Sequence, residues 1–250
     1  MLDMRTPRIF HDGIYAGGDR VQLTTDASHH IINVLHMKVG QPVMLFNGNG
    51  GYYDCRIQAL EKKCRVLVEI GQHYSDDKVS KLNLTLAQGI SRGQRMDYTL
   101  QKAVELGVSG VVPLFCEFGN VKLAGDRQDK RLEHWRKLII SACEQCGLNR
   151  IPSIQPPINL ADWVGKQNDG LKIILHPVSD YNLSHLQQPD RNIILLVGPE
   201  GGFSEKEVCL AVANGYHAVG FGPRTLRTET AALAAITACQ VLWGDICSSH

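Results

Sequence analysis

Ile193 to Val197 is a run of five branched aliphatic residues, and the chain passes from it straight into Gly198-Pro199-Glu200-Gly201-Gly202-Phe203-Ser204. A run that is apolar at every position cannot have one wet face. It predicts a strand covered on both sides, as in a parallel sheet. Ser204 followed three residues later by Glu207 has the form of a capping box, so a helix starts there. Strand, glycine loop and helix make the repeating unit of an α/β domain, and such domains hold ligands in the loops that follow parallel strands.

The same alternation runs through the last two thirds of the chain. Strands are predicted over Leu82 to Gln88, Val111 to Phe115, Leu171 to His176 and Ala218 to Phe221. Helices are predicted over Gln94 to Leu106, stopped by Gly107, over Asp129 to Cys146, stopped by Gly147, and over Glu229 to Trp243, with Thr228 as its cap. That last helix is apolar on all sides and must be covered. The first seventy residues read differently. Val43 to Phe46, Gly51 to Leu60 and Cys64 to Ile70 are strand-like, Gly48 to Gly51 is a turn, and Asp26 can cap a helix over His29 to Met37. Closely spaced strands with one helix suggest a small barrel. The polar stretch 73–80 is the expected linker between residues 1–72 and residues 81–250.

Composition excludes more than it selects. No run of 18 apolar residues predicts a membrane span, and the first ten residues lack a signal-peptide core, so a cytoplasmic protein is expected. The eight scattered cysteines are then expected as thiols. Net charge is +1, which announces no polyanion partner, although residues 74–150 hold 12 basic against 9 acidic side chains.

The glycine loop lacks the P-loop lysine and the glycine spacing of the dinucleotide fingerprint. Glu200 would repel phosphate. A carboxylate among glycines suits a neutral or cationic ligand, and the sulfonium of S-adenosylmethionine is cationic; a purely structural turn is the alternative. A second polar segment, Gly222-Pro223-Arg224-Thr225-Leu226-Arg227-Thr228-Glu229-Thr230, enters the apolar helix and needs partners or a ligand. A third, Ser91 to Asp97, puts Arg92 and Arg95 at a strand-to-helix turn, where they are either solvated or phosphate contacts. Cys143-Glu144-Gln145-Cys146 sits at a helix C-terminus, the wrong end to stabilise a thiolate, and has no second ligand pair for zinc. No metal is expected. His29 and His30 read as a packed and solvated pair.

Six stretches together resemble the SPOUT class of methyltransferases and, more closely, the ribosomal small-subunit RNA methyltransferase E family: Pro7 to Phe10, His29 through Gly40, Gln101 to Val108, Glu144 to Gly147, Val197 to Ser204, and Gly222 to Ala232. The last two are the specific ones. This chain has Arg92 and Arg95 where the family usually has lysines, Leu148 where an arginine is common, and His176 where a glutamate is frequent. The resemblance implies a PUA-like RNA-binding barrel, then a SPOUT-type α/β domain with a parallel sheet and a C-terminal trefoil knot, in a homodimer. It implies methylation of uridine N3 in small-subunit (16S) ribosomal RNA, free or in the small ribosomal subunit, with S-adenosylhomocysteine as product. Donor binding would fall to Leu175, His176, Val197, Gly198, Pro199, Glu200, Gly201, Gly202, Phe221, Gly222, Leu226, Arg227 and Thr230. Arg227 would stabilise charge on the uracil, Glu229 or Glu200 would take the N3 proton, and Arg8, Arg92, Arg95 and Lys102 would contact RNA. A non-catalytic RNA-binding assembly protein and a nucleotide-dependent α/β enzyme are the alternatives.

Overall fold

The computed structural model describes residues 6–61, 65–121, 125–166 and 169–247. Two compact units emerge, one of residues up to Val79 together with Cys143–Ile151, the other of Ser80–Ala142 and Pro152 onward.

The first unit is built on β1 (Arg8–Phe10), β2 (Arg20–Gln22), β3 (Pro42–Phe46), β4 (Tyr52–Glu61) and β5 (Arg65–Tyr74), paired in the order β1-β3-β4-β5-β2. β1 joins β3 in parallel and the other pairs are antiparallel. β5 shows the period of two that a half-buried strand needs: Val66, Val68 and Ile70 are buried between Arg65, Leu67 and Glu69. They meet Ile9, Leu23, Ile31, Val43, Leu45 and Ile57 in one core. Among the described residues β1 and β2 form the two ends of the pairing, so the sheet is an open path where a barrel would close. Neither short strand carries enough alternation to be read from sequence. Cys64, the expected start of β5, lies outside the described residues.

The expected helix over His29 to Met37 is displaced. A short α1 (Thr25–His29) is capped by Thr24, whose hydroxyl accepts from the Ala27 N–H, while Asp26 sits inside its first turn. A π-helical turn over His30–Val34 follows, and the segment ends at His36, whose φ is +50°. The wider turn buries Ile31 fully and leaves Val34 57% exposed. β5 continues through Tyr74, so the polar stretch leaves the sheet only after that residue. The return of Cys143–Ile151 to this unit is not legible in a linear reading. The Phe10 N–H donates to Glu144 Oε1 at 2.9 Å, and Arg150 Nε donates to Asp77 Oδ2 at 2.6 Å.

The second unit holds a wholly parallel sheet of β6 (Asn83–Gly89), β7 (Gly110–Phe115), β8 (Ser153–Ile154), β9 (Ile158–Asn159), β10 (Leu171–Leu175), β11 (Asn192–Val197) and β12 (His217–Val219). Its order is β12-β10-β11-β6-β7-β8, with β9 also on β7. The apolar run of β11 is now explained. Ile193, Leu195 and Val197 enter a core shared with α2 (Gln94–Glu105), α3 (Asp126–Cys146) and α6 (Thr228–Leu242). Ile194 and Leu196 enter another with α4 (Leu160–Val164) and α5 (Glu205–Ala213). Both faces are covered, as a parallel strand requires. Ser204 forms its capping box with Glu207 as the spacing predicts. Thr228 does not cap α6. Arg227 occupies that position without a side-chain bond, and the Thr228 hydroxyl instead donates to the Gly198 carbonyl at 2.6 Å.

Candidate functional site

The C-terminal ends of β10, β11 and β12 open into a cavity of about 520 Å³, within the ~300–1,000 Å³ range of small-molecule sites. Its floor is the loop after β11. The Gly202 N–H donates to the Pro199 carbonyl at 2.9 Å, closing a turn over Pro199 to Gly202. Gly202 has φ +71°, open to glycine and strained for other residues. A side chain on Gly198 would press on the Gly202 backbone at 3.1 Å, so these two glycines pack backbone to backbone. The opposite wall is Phe221, Gly222 and Arg224 to Glu229, where the chain enters α6. Leu175, His176 and Pro177 complete the rim after β10.

The two loops are pinned to each other by a residue without a sequence signal. Gln88, at the end of β6, is fully buried. Its Nε2 donates to the Gly198 carbonyl at 3.3 Å, the Gly89 carbonyl at 3.1 Å and the Thr228 hydroxyl at 3.0 Å. Beside it, a Cβ on Gly89 would lie 2.5 Å from the backbone nitrogen of Pro199. Only hydrogen fits there, so β6 sets the height of the glycine loop.

Electrostatics divide the two carboxylates of the cavity. Glu200 Oε1 accepts from the Arg92 backbone N–H at 2.9 Å and from Arg95 Nη1 at 3.0 Å. Partial burial alone would raise its pKa. Its own backbone N–H, the Arg92 N–H and the Arg95 guanidinium outweigh that and hold it below the usual carboxylate range. Glu229 is different: its Oε2 is enclosed and has no hydrogen-bond partner among the described residues. A cavity that offers apolar surface from Leu175, Val197, Phe221 and Leu226, two loops of exposed backbone and one unpartnered carboxylate oxygen fits a mostly neutral ligand bearing a cation.

The family model for an RNA methyltransferase domain matches residues 78–240, and that for an RNA methyltransferase PUA domain matches residues 23–70. Ribosomal RNA small subunit methyltransferase E of Buchnera aphidicola (Acyrthosiphon pisum strain) is 33% identical over 96% of this chain and 95% of its own. The enzyme of the same name from Neisseria gonorrhoeae, solved with S-adenosyl methionine, superposes with a TM-score of 0.90 at 40% identity, covering 97% of this chain and all of that one. A methyltransferase of Legionella pneumophila, solved with its cofactor SAM, gives 0.94 at 38% identity with the same coverage. The chain belongs to the ribosomal RNA small subunit methyltransferase E family.

Of the donor-binding residues expected for a member of this family, all but one line the cavity. The exception is Thr230, which is exposed and outside its lining, because the turn of α6 carries Glu229 and Ala231 to the wall instead. Arg227, Glu229 and Glu200 are brought together there, and Arg95, expected only as an RNA contact, joins them. Arg224, Thr225 and Phe203 also line it. Arg92 borders the site through its backbone. Lys102 does not line it and pairs with Glu105 on its own helix at 2.7 Å. Arg8 belongs to the first unit. Its guanidinium bonds Asn149 and lies 5.3 Å from the ring centre of Phe46 and 5.7 Å from that of Tyr52, half-buried, and burial lowers its pKa. Burial pushes the Cys143 thiol to about 12, which opposes a thiolate in the CxxC pair. No described helix is long and apolar enough to cross a membrane.

Proposed function

We propose that the protein methylates small-subunit (16S) ribosomal RNA at uridine N3 with S-adenosylmethionine as donor, releasing S-adenosylhomocysteine. One observation carries the reading: the glycine loop after β11 and the Arg224–Glu229 segment form opposite walls of one cavity at the C-terminal edge of a parallel sheet. The relatives at 38% and 40% identity were solved with this donor bound, which supports its transfer to this chain.

With the donor bound, the site gains an electrophilic methyl group on a sulfonium. The chain supplies the rest. Backbone groups of residues 197–202 and 221–227 hold the donor, with Leu175 and His176 against it. The N3 position lies on the Watson–Crick edge, so the target base must be unpaired or flipped out. N3 must also lose its proton as the methyl arrives. In this reading Glu229, whose Oε2 lacks a partner among the described residues, takes that proton, and Arg227 stabilises negative charge spreading to the uracil oxygens; that both line the cavity supports the assignment. Glu200 is the weaker base, because its bonds to Arg92 and Arg95 favour the ionised form. It serves to hold the 91–95 turn against the donor loop.

The first unit is the RNA-binding module in this reading, and residues 73–80 join it to the methyltransferase domain that resemblance makes knotted. A cytoplasmic homodimer completes the proposal. The end of α6 favours it: Val241, Leu242 and nearby Ile246 are 42%, 50% and 48% exposed, an apolar edge of the kind that marks an interface. A ligand panel tests the donor assignment. S-adenosylhomocysteine is expected to raise the melting temperature while ATP and NAD do not; stabilisation by ATP or NAD alone would favour a nucleotide enzyme, and RNA binding without donor binding an assembly protein.

A further inference from the structure

The first two turns of α3 carry Arg127, Lys130, Arg131 and His134 at positions i, i+3, i+4 and i+7, so they share one helix face. The buried face holds Leu132, Trp135 and Ile139. Asp129 and Glu133 lie on neither, and Glu133 pairs with Arg136 on another side of the helix at 3.9 Å, so no acidic side chain of α3 interrupts the stripe. Cations in the first turns of a helix oppose its dipole, so propensity gives no reason for a stripe here.

The stripe is docked beside the cavity rather than remote from it. Arg131 Nη2 donates to the Gly93 carbonyl and to Asp97 Oδ1, each at 3.3 Å. His134 Nε2 lies 2.8 Å from Asp97 Oδ2, and Trp135 Nε1 donates to Asp97 Oδ1 at 3.2 Å. Asp97 therefore absorbs Arg131 and His134 and fixes α3 against the 91–97 turn. That turn carries Arg95, which lines the cavity, and Arg92, whose side chain is exposed. Arg127 and Lys130 are exposed and have no acidic partner among the described residues.

We propose that this face of α3 is a track for the RNA backbone, in which Arg127 and Lys130 bind phosphates of the strand leaving the catalytic cavity past Arg92. The proposal rests on the RNA methyltransferase reading. It adds a second contact surface, inside the methyltransferase unit, that needs no base recognition: phosphate contacts fix register and orientation while the cavity selects the base.

The test is RNA binding by the full chain as a function of salt, with an RNA copied from the small-subunit region that the wild-type protein methylates. Each phosphate contact on a single strand contributes about 0.7 to the slope of log affinity against log salt. The double variant Arg127→Gln, Lys130→Gln is expected to lose about 1.4 of that slope and to bind more weakly at low salt, with S-adenosylhomocysteine bound as tightly as by wild type. Arg127→Lys, Lys130→Arg should restore the slope, and Arg136→Gln, on another side of the helix, should leave it unchanged. A double variant with wild-type slope and affinity overturns the track. So does one that binds naked RNA normally yet binds assembled subunits poorly, which would make the face a protein contact. A wild-type chain that neither binds nor methylates small-subunit RNA would instead remove the underlying reading.

Discussion

At the scale of single residues, two carboxylates share a cavity with Arg95, Arg224 and Arg227 and are told apart by their partners. Glu200 is tethered, and Glu229 has an enclosed oxygen with none. Glu229→Gln is therefore expected to lower kcat by about 10²-fold or more, the usual worth of a general base, with donor affinity nearly intact. Arg227→Ala is expected to cost a similar factor through lost charge stabilisation, of order 10²–10³. Methylation at the wild-type rate by either variant would remove that residue from the chemistry. Glu200→Gln tests the tether instead. A carboxylate whose folded pKa is depressed stabilises the fold above its unfolded pKa, and that contribution is lost as pH falls through the folded value. Hydrogen exchange at the Arg92 amide should accelerate relative to the exposed-amide trend as pH drops below about 4, near the reference carboxylate value. In Glu200→Gln that pH dependence should be absent.

At the scale of elements, the decisive junction is where β6, the loop after β11 and the start of α6 meet on the Gly198 carbonyl. Gln88 and Thr228 both donate to that oxygen. Thr228→Val keeps the shape and removes one donor. It is expected to cost roughly 1–3 kcal/mol for an under-satisfied buried group, and to weaken donor affinity by more than it changes kcat. Thr228→Ser should restore both, and a Val variant with wild-type donor affinity would show that the junction does not set the cavity. This junction also marks where sequence reading stops. The glycine loop and the capping box at Ser204 were legible because both are local: a few residues decide each turn. Gln88 was not, since a glutamine ending a strand looks solvated until a loop 110 residues away is folded over it. Thr228 looked like a cap because a threonine before an apolar helix usually is one, and a tertiary acceptor outcompeted that role. At the far end of α6, Leu242→Asp is expected to convert a dimer to a monomer in sedimentation. A wild-type chain that sediments as a monomer would contradict the proposed assembly.

At the scale of the whole molecule, two units with separate cores come from one chain. The alternation of strands and helices made the parallel α/β unit readable, and the run Ile193 to Val197 was its clearest mark because burial on both faces leaves no polar position. The limits of the first unit were harder. β1 and β2 have three residues each, too few for a period of two to show, and the return of Cys143–Ile151 depends on contacts such as Phe10 with Glu144, distant in sequence. The site residues were named from the motifs, and the cavity gathers them for one physical reason: loops after neighbouring parallel strands must open on the same edge. Lys102 does not line it, its charge being paired with Glu105 on its own helix. The most direct test of the account is transfer of labelled methyl from S-adenosylmethionine to unmodified small ribosomal subunits or their RNA, followed by mapping of the modified base. Label on a single uridine, at N3, is the predicted result; label absent from RNA, or on a base other than uridine, would contradict it.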